Sequence, residues 1–359
     1  MAQGGRTEGH GGLISPRDIS RRRFLPSAAT VSIAACGVAG SVACGVNDLP
    51  QPFAGVPSPV FIARAASYTA NLAAILEQGI AACGLVVKGR NILLKPNLVE
   101  FDAATSINTN VAVVAAAVEV FQKLGASSVV IGEGPGHRRD TLYLAEEAGY
   151  RQAIAGFEQR FVDLNRDDVT PVARFHNLKE VYLPRTAVAA DLIVSMAKMK
   201  THHWAGATLS MKNFFGVVPG AVYGWPKNML HQYGVSESIV ELNRIFRKTF
   251  AIIDGIVGME GNGPIQGTPR KAGVLVMGPD LVAVDATCCR VMGIDPGKVT
   301  YLNLGRHLGH VPAGRIEQRG ETVGHVYTPF ELIAEQAQMR LAEGTSTQPE
   351  TNRGFPGSD

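Results

Sequence analysis

The chain contains the apolar run DLIVS at residues 191–195, and the basic run KMKTHHW follows it at residues 198–204. A short, nearly unbroken apolar run is typical of a strand that is buried on both faces of a sheet. Comparable runs recur at residues 60–63, 91–95, 128–132, 250–253 and 274–277, and helical patterns separate them at 68–83, 110–124, 141–149, 236–247 and 281–292. The alternation predicts an α/β fold with a mixed, mostly parallel sheet and helices on both faces, in one or two lobes.

Polar residues follow two of the predicted strands at the point where each strand ends. Lys95 and Asn97 flank a proline after the run at 91–95, and the turn GEGPGH at 132–137 places Glu133 and Gly134 after another. Ligands of open α/β sheets bind outside the carboxyl ends of the strands. The glycines allow the backbone to approach a ligand such as a phosphate closely. A surface lysine beside a turn, and a plain tight turn, are the alternative interpretations.

The basic run after residue 195 is the strongest candidate for a site. Alternation along an extended chain places Lys198, Lys200 and His202 on one face. These three groups repel one another unless an anion lies between them, so the run predicts a bound carboxylate or phosphate. His202 has the pKa range needed to exchange a proton near neutral pH. A metal held by histidine and a solvated basic turn are the alternatives.

Two later clusters add to this candidate site. The sequence SMKNFFG at 210–216 is a second lysine–amide unit, and DGIVGMEGNGP at 254–264 is a glycine-rich run that begins with a carboxylate at a strand end. Because glycine is costly in conformational entropy, the second cluster favours a backbone-lined binding loop over a mere connection. The candidate residues in the two clusters are Lys212, Asn213, Asp254, Glu260, Gly261 and Gly263.

Two further polar features carry less information. Asp285 is predicted at the start of a helix, where it would neutralise a lysine or cap that helix. His307 and His310 are three residues apart on a predicted helix, a spacing more typical of a surface than of a metal site.

The amino terminus carries the pattern of an export signal. Residues 20–25 read SRRRFL, which matches the twin-arginine pattern S-R-R-x-F-L, and an apolar run continues to about Cys44. Such signals are addresses read by a receptor. Residues 1–44 are therefore predicted to engage the twin-arginine translocase and to send the folded protein to the periplasm or another extracytoplasmic place. A plain disordered terminus, a transmembrane anchor, cleavage after Ala43 and lipid attachment at Cys36 or Cys44 are the alternatives.

The remaining chain is predicted to contain a Pro-rich linker at 45–58, a single α/β domain at 59–340 and a disordered tail at 341–359. The whole sequence has 34 Lys and Arg against 31 Asp and Glu, but residues 1–43 hold five of the arginines and two of the acids. The rest is formally neutral, which argues against nucleic-acid binding and limits membrane contact to the signal or a lipid.

The cysteine pattern bears on cofactors. None of the five cysteines forms a C-x-x-C motif, so no iron–sulfur cluster or zinc ribbon is indicated. The adjacent Cys288 and Cys289 are predicted to be small core residues on a helix. A divalent metal remains open, with Glu133 and Glu260 as its candidate ligands.

The clusters, taken in order, resemble the family called domain of unknown function 362. The residues that carry the resemblance are those of the motifs KPN at 95–97, GEG at 132–134, KMKTH at 198–202, KNFFG at 212–216, DGI at 254–256, MEGNGP at 259–264 and Asp285. The family's general reaction is not established. Some of its members are described as iron–sulfur proteins, a property that this chain lacks the cysteines to share. The family is also distantly similar to a racemase that acts on lactate with a nickel-pincer cofactor, which raises the expectation of a small anionic ligand.

The sequence therefore favours an enzyme that acts on a small anion. In this hypothesis Lys198, Lys200 and Lys212 clamp the anion and His202 moves a proton. Asp254 or Glu133 orients a base or holds a divalent cation, while the amides of Asn97 and Asn213 fix the orientation of the substrate. The alternatives are a non-catalytic binding or accessory protein for an anion or a metal complex, and a redox protein with an inserted cofactor.

Overall fold

A computed structural model describes residues 55–136 and 140–342. The predicted signal at 1–44, the linker up to residue 54 and the tail from residue 343 lie outside these residues. The strands are β1 Ser58–Arg64, β2 Asn91–Pro96, β3 Ser128–Glu133, β4 Phe161–Asp163, β5 Val169–Phe175, β6 Leu178–Pro184, β7 Leu192–His202, β8 Gly206–Thr208, β9 Thr249–Glu260, β10 Thr268–Arg270, β11 Val274–Gly278 and β12 Ile316–Gly320.

Helices alternate with the strands through much of the chain. They are α1 Leu72–Ala82, α2 Val111–Lys123, α3 Thr141–Glu147, α4 Tyr150–Ala153, α5 Phe157–Arg160, α6 Arg185–Ala189, α7 Ser210–Asn213, α8 Gly220–Tyr223, α9 Asn228–Gln232, α10 Val235–Ile245, α11 Leu281–Val291, α12 Thr300–Leu304 and α13 Val323–Val326. Short 3₁₀ helices add Phe214–Val217, Pro296–Lys298, Gly305–His307, Ala313–Arg315 and Ala334–Met339. None of the helices in the described ranges combines the length and the apolar character needed to cross a membrane.

One large sheet organises the described residues. Its strands run in the order β12-β1-β11-β9-β7-β2-β3-β4, while β10 pairs with β9 and β8 pairs with β7. The block β9-β7-β2-β3-β4 is parallel throughout, whereas β11 is antiparallel to both of its neighbours. The predicted mixed, mostly parallel sheet is therefore confirmed. A separate hairpin of β5 and β6 completes the strands.

The position of the central strand β7 explains why apolar and polar residues do not alternate along its first part. All eleven of its residues are buried. Ile193 and Ala197 belong to the core on one face of the sheet, and Leu192 and Val194 belong to the core on the other. Helices α1 and α2 cover the second face, while α7, α10 and α11 cover the first, so every position of the strand needs an apolar or fully paired side chain.

Two strands continue beyond the ends predicted for them. The strand predicted at 191–195 extends to His202, and the strand predicted at 250–253 extends to Glu260. The first part of the glycine-rich run at 254–264 is therefore strand rather than loop. A Cβ on Gly255 would lie 2.9 Å from atoms of Met199 and Val274, so this glycine allows close packing inside the sheet.

Helix α11 corrects one prediction and confirms another. Asp285 lies inside α11, which Asp280 caps, and its carboxylate instead accepts bonds from the backbone N–H groups of Ser210 and Met211 at the start of α7. Asp285 thus neither caps its own helix nor neutralises a lysine. Cys288 and Cys289 are free and buried on α11, as predicted for small core residues.

Candidate functional site

A cavity of about 630 Å³ opens at the carboxyl ends of β2, β3 and β7. Its wall brings together most of the residues predicted from the strand ends. Those residues are Lys95, Asn97, Glu133, Gly134, Lys200, His202, Lys212 and Asn213. The parallel order of these strands places their carboxyl ends at one edge of the sheet, where ligand sites of this architecture form. Glu133 is the sole acidic residue among the described residues of the wall, against four lysines.

Lys95 and Glu133 form an ion pair at the base of the cavity. The Lys95 Nζ to Glu133 Oε2 distance is 2.6 Å, and both side chains are only 1% exposed. Lys95 also donates to the Pro96 carbonyl and to Asn213 Oδ1, which occupies all three of its N–H groups. A Cβ on Gly216 would overlap both members of the pair, so the glycine of KNFFG admits this pair against the backbone. Burial nevertheless lowers the pKa of Lys95.

Lys200 and Lys227 are held by carbonyl groups alone. Lys200 donates to the carbonyls of Ile107 and Pro264, at 2.9 and 3.2 Å. Lys227 donates to the carbonyls of Gly134 and Phe215, at 2.6 and 3.1 Å. Each lysine therefore keeps one N–H without a partner among the described residues. Burial lowers the pKa of Lys200 well below its usual range and the pKa of Lys227 to about 7.

Lys212 differs from the other lysines of the cavity. Its Nζ lies 3.7 Å from the centre of the Phe215 ring, and within the described part of the chain it has no hydrogen-bond or ion-pair partner. Burial, reinforced by the charge of Lys95, lowers the pKa of Lys212 to about 7. Both the amine and the ammonium form of this group are therefore accessible near neutral pH.

His202 is fixed as a neutral imidazole. Its Nδ1 accepts hydrogen bonds from the backbone N–H groups of Trp204 and Ala205, at 3.1 and 3.2 Å. Burial and the charge of Lys212 lower the pKa of His202 to about 2. The proton of the neutral ring therefore sits on Nε2, and the ring lines the cavity as a hydrogen-bond donor.

Two further polar groups in the wall are unpaired. Asn97 Oδ1 and Thr208 Oγ1 are buried and lack a hydrogen-bond partner among the described residues. Turning the Asn97 carboxamide over would present its nitrogen instead, so an unpaired polar group remains in either orientation. Buried polar atoms are normally paired, which makes these groups candidates to contact a ligand.

Lys198 and Asp254 lie together but outside this cavity. Lys198 Nζ is 2.6 Å from Asp254 Oδ2 and also donates to the hydroxyl of Tyr68 and the carbonyl of Val257, so its three N–H groups are all used. Asp254 also accepts from the backbone N–H of Asn110, the residue that caps α2. This cluster borders a smaller cavity of about 330 Å³. Lys198 therefore has no N–H left for a ligand in either cavity.

The two glutamates considered as metal ligands bind different partners. Glu133 is held by Lys95, while Glu260 accepts from the backbone N–H of Glu331 and lies 3.6 Å from Arg270 Nε. Across residues 55–136 and 140–342 there is no group of three or more His, Cys, Asp or Glu able to hold a metal ion. The donor set of the described residues therefore does not fit a metal held by protein ligands.

The three glycines predicted to bind substrate lie in two different places in the structure. Gly134 lines the cavity, but Gly261 and Gly263 are not part of its wall. A Cβ on Gly263 would overlap the Thr201 carbonyl, and Gly261 takes a φ of +76° that favours glycine. Both glycines therefore shape the turn after β9.

Other residues of the wall were not assigned to the site from the sequence, among them Lys227, Thr208, Trp204 and His231. Lys227 follows a proline in a segment without an apolar strand before it, so the search at strand ends passes over it. Thr208 lies in the three-residue strand β8, which is too short to produce a periodic signal.

Fold and site together define an α/β protein with a lysine-lined cavity at the carboxyl ends of a mixed sheet. Residues 92–290 match the family described as Domain of unknown function (DUF362), and the chain belongs to that family. The thylakoid-associated protein sll1697 of Synechocystis sp. is 30% identical over 257 residues, which are 69% of this chain and 77% of that protein. The resemblance inferred from the short motifs is thus confirmed.

A solved structure is also similar to this chain. The lactate racemase apoprotein from Thermoanaerobacterium thermosaccharolyticum matches with a TM-score of 0.42 and 12% identity. The match covers 68% of this chain and 59% of that protein, so the chain spans less than two thirds of its length.

Proposed function

We propose that the protein binds a small organic anion, a carboxylate or a phosphate ester, in the lysine-lined cavity and exchanges a proton with it. The observation that carries the proposal is the Lys212 ammonium group, which has no polar partner in the described part of the wall. Lys212 is half-buried, and a partly desolvated cation without a polar partner is unfavourable, so an anion that pairs with it would offset the cost of its desolvation. Glu133, the one carboxylate that the described residues contribute to the wall, is already paired with Lys95.

Lys200 and Lys227 would hold the anionic group. Each has used two N–H groups on carbonyls, which fixes the direction of the third. Charge-assisted bonds from such prepositioned donors are stronger than bonds between neutral groups. The unpaired groups of Asn97 and Thr208 would then orient the polar substituents of the ligand.

Lys212 would carry the proton. A general acid–base group works best when its pKa is close to the working pH, and the pKa of Lys212 is about 7. His202 remains neutral, because its Nδ1 is occupied by two backbone donors. Its Nε2–H would donate to a carbonyl or carboxylate oxygen of the ligand and stabilise negative charge that develops there. The proton transfer that the sequence assigned to His202 thus passes to Lys212 in this proposal.

The proposal includes export of the folded protein. The motif SRRRFL at residues 20–25 supports it. The word thylakoid-associated in the name of the Synechocystis relative is consistent with a place outside the cytoplasm. The small anion would accordingly be met in an extracytoplasmic compartment.

The test is exchange of carbon-bound hydrogen in a panel of short carboxylates and phosphate esters. The full chain is incubated with each compound in D₂O, deuterium incorporation is followed by NMR, and affinity is measured by calorimetry. Lys212→Ala should abolish exchange and weaken binding by at least about tenfold, because it removes a charged hydrogen-bond donor. Lys271→Ala removes an exposed lysine outside the cavity wall and should change neither quantity.

The two halves of the proposal fail separately. Binding that depends on Lys212 without any exchange would leave an anion-binding protein and overturn the catalytic half. Anion binding that is unchanged in Lys212→Ala would overturn the site itself.

A further inference from the structure

A row of rings leads from Lys212 to the surface of the protein. The row consists of Phe215, His231, Trp204 and His203, all of which line the cavity. Lys212 Nζ lies 3.7 Å from the centre of the Phe215 ring, and the centre of the His231 ring is 6.4 Å further on. Trp204 follows at 5.7 Å from His231, and its ring centre is 4.8 Å from that of His203. The anion-binding group and the surface are thus joined by a continuous aromatic wall.

Trp204 is one of the two exposed rings of this row. It is 68% exposed, the largest exposed fraction of any large apolar side chain in the described residues. Its backbone is held, because its N–H donates to His202 Nδ1 at the strand end. A fixed tryptophan that leaves its ring in water at the mouth of a cavity offers a large apolar surface at a small cost in side-chain entropy.

The size of the cavity exceeds the needs of the anionic group alone. Its volume of about 630 Å³ lies within the range of roughly 300–1,000 Å³ that encloses drug-sized ligands. Apolar side chains supply much of the remaining wall, including those of Val99, Val235 and Ile265. A short carboxylate or inorganic phosphate would leave this apolar part without a partner.

The charges of the cavity wall determine whether the aromatic ring of a ligand can itself be charged. Burial and the charge of Lys212 lower the pKa of His231, so its ring is neutral at neutral pH. The lysines disfavour a cationic ligand by repulsion. The row therefore suits an uncharged planar ring attached to the anionic group.

We propose that the ligand of this cavity is a carboxylate or phosphate that carries an aromatic ring. Its anionic group lies at Lys212, and its ring packs against Trp204 and His231. This inference rests on the proposed function, because it uses the same anion site, and it adds the class of the substrate. Stacked or edge-to-face packing of the ligand ring on this row would supply affinity beyond that of the ionic contact.

The test compares matched ligand pairs that differ by one ring. The probes are propionate with 3-phenylpropionate, and inorganic phosphate with phenyl phosphate, each titrated calorimetrically into the full chain. The aryl member of at least one pair should bind about tenfold more tightly than its partner. Trp204→Ala should remove this advantage while the affinity for the short anion changes by less than about twofold. Tyr143→Ala, which removes an exposed aromatic residue outside the cavity wall, should leave all affinities unchanged.

The outcomes separate this inference from the proposed function. Equal affinities within both pairs, or an aryl advantage that survives Trp204→Ala, would overturn the aryl class while leaving the anion site intact. Aryl binding that persists in Lys212→Ala at full strength would instead overturn the anion site. The remaining alternative is that Trp204 contacts a second copy of the chain, and sedimentation of the wild type and of Trp204→Ala tests it. A dimer that forms in the wild type and is lost in the variant would overturn the inference.

Discussion

An ammonium group that is wholly or partly removed from water needs partners, and five lysines of this protein differ in how many they have. Lys95 and Lys198 each use all three N–H groups and each pair with a carboxylate. Lys200 and Lys227 use two, on carbonyls, and Lys212 uses none among the described residues. The first two have no N–H left for a ligand, whereas the last three hold the bonding capacity that a ligand can use.

The lowered pKa of Lys212 predicts how anion affinity depends on pH. A bound anion favours the ammonium form, and in the free protein this form is complete only below the pKa of about 7. Above that pKa, binding must first take up a proton, so affinity should fall as the pH rises from about 7 to 9, by up to about tenfold per unit for each deprotonated lysine. Calorimetric titration with phenyl phosphate at several pH values measures this dependence.

An arginine variant provides the control for that prediction. Arginine stays charged throughout this pH range, so Lys212→Arg should flatten the part of the decline that belongs to residue 212. Lys227, whose pKa is also about 7, and Lys200, whose pKa burial lowers well below its usual range, supply the remaining part. A pH profile identical in the wild type and in Lys212→Arg would show that Lys212 does not titrate on binding.

At the scale of elements, the short helix α7 carries two residues of the cavity wall. Lys212 and Asn213 lie on this four-residue helix, which is too short to be stable by itself. Asp285 of α11 holds its start, through bonds to the N–H groups of Ser210 and Met211 and to the Ser210 hydroxyl. The position of the Lys212 side chain thus depends on a carboxylate that does not line the cavity.

Asp285→Ala should therefore weaken both stability and anion binding. The change leaves buried N–H groups unpaired, so the free energy of unfolding should fall by about 3 kcal/mol, measured by urea denaturation. Anion affinity should fall with it, because α7 loses its anchor. Asp285→Asn keeps the size of the side chain and should have a smaller effect on both quantities.

Asp295 offers a matched comparison for that variant. It caps the 3₁₀ helix Pro296–Lys298 through the N–H of Gly297, away from the cavity wall. Asp295→Ala should cost about 1 kcal/mol and leave anion affinity unchanged. An Asp285→Ala protein as stable and as strongly binding as Asp295→Ala would contradict the anchoring role.

At the scale of the whole molecule, the amino-terminal motif predicts where the protein works. Replacing both Arg21 and Arg22 with lysine should abolish export of the full chain, because the receptor of this pathway reads the arginine pair. Fractionation of a bacterial host into cytoplasm and periplasm measures the result. Arg17→Lys, which lies before the motif, should be exported like the wild type. Periplasmic recovery of the double variant at the wild-type level would reject the signal.

Much of the fold could be predicted because the pattern that encodes it is local. Apolar runs such as DLIVS at 191–195 mark strands buried on both faces, and the structure contains a strand at each predicted run. The strand ends were predicted too early at β7 and β9. The buried Lys198, Lys200 and Asp254 appear as polar interruptions in the sequence, and only their partners make them compatible with the interior of a sheet.

Residue type and spacing alone specify the α/β class, the family and eight of the residues that line the cavity. The tertiary structure alone decided which lysines share the cavity and which are already paired. Lys198 and Lys200 are two residues apart, but a register shift between β7 and β9 accompanies their separation into different cavities. Desolvation and partner geometry depend on contacts between distant segments, such as Lys95 with Asn213 and Lys227 with Gly134, which local spacing does not encode.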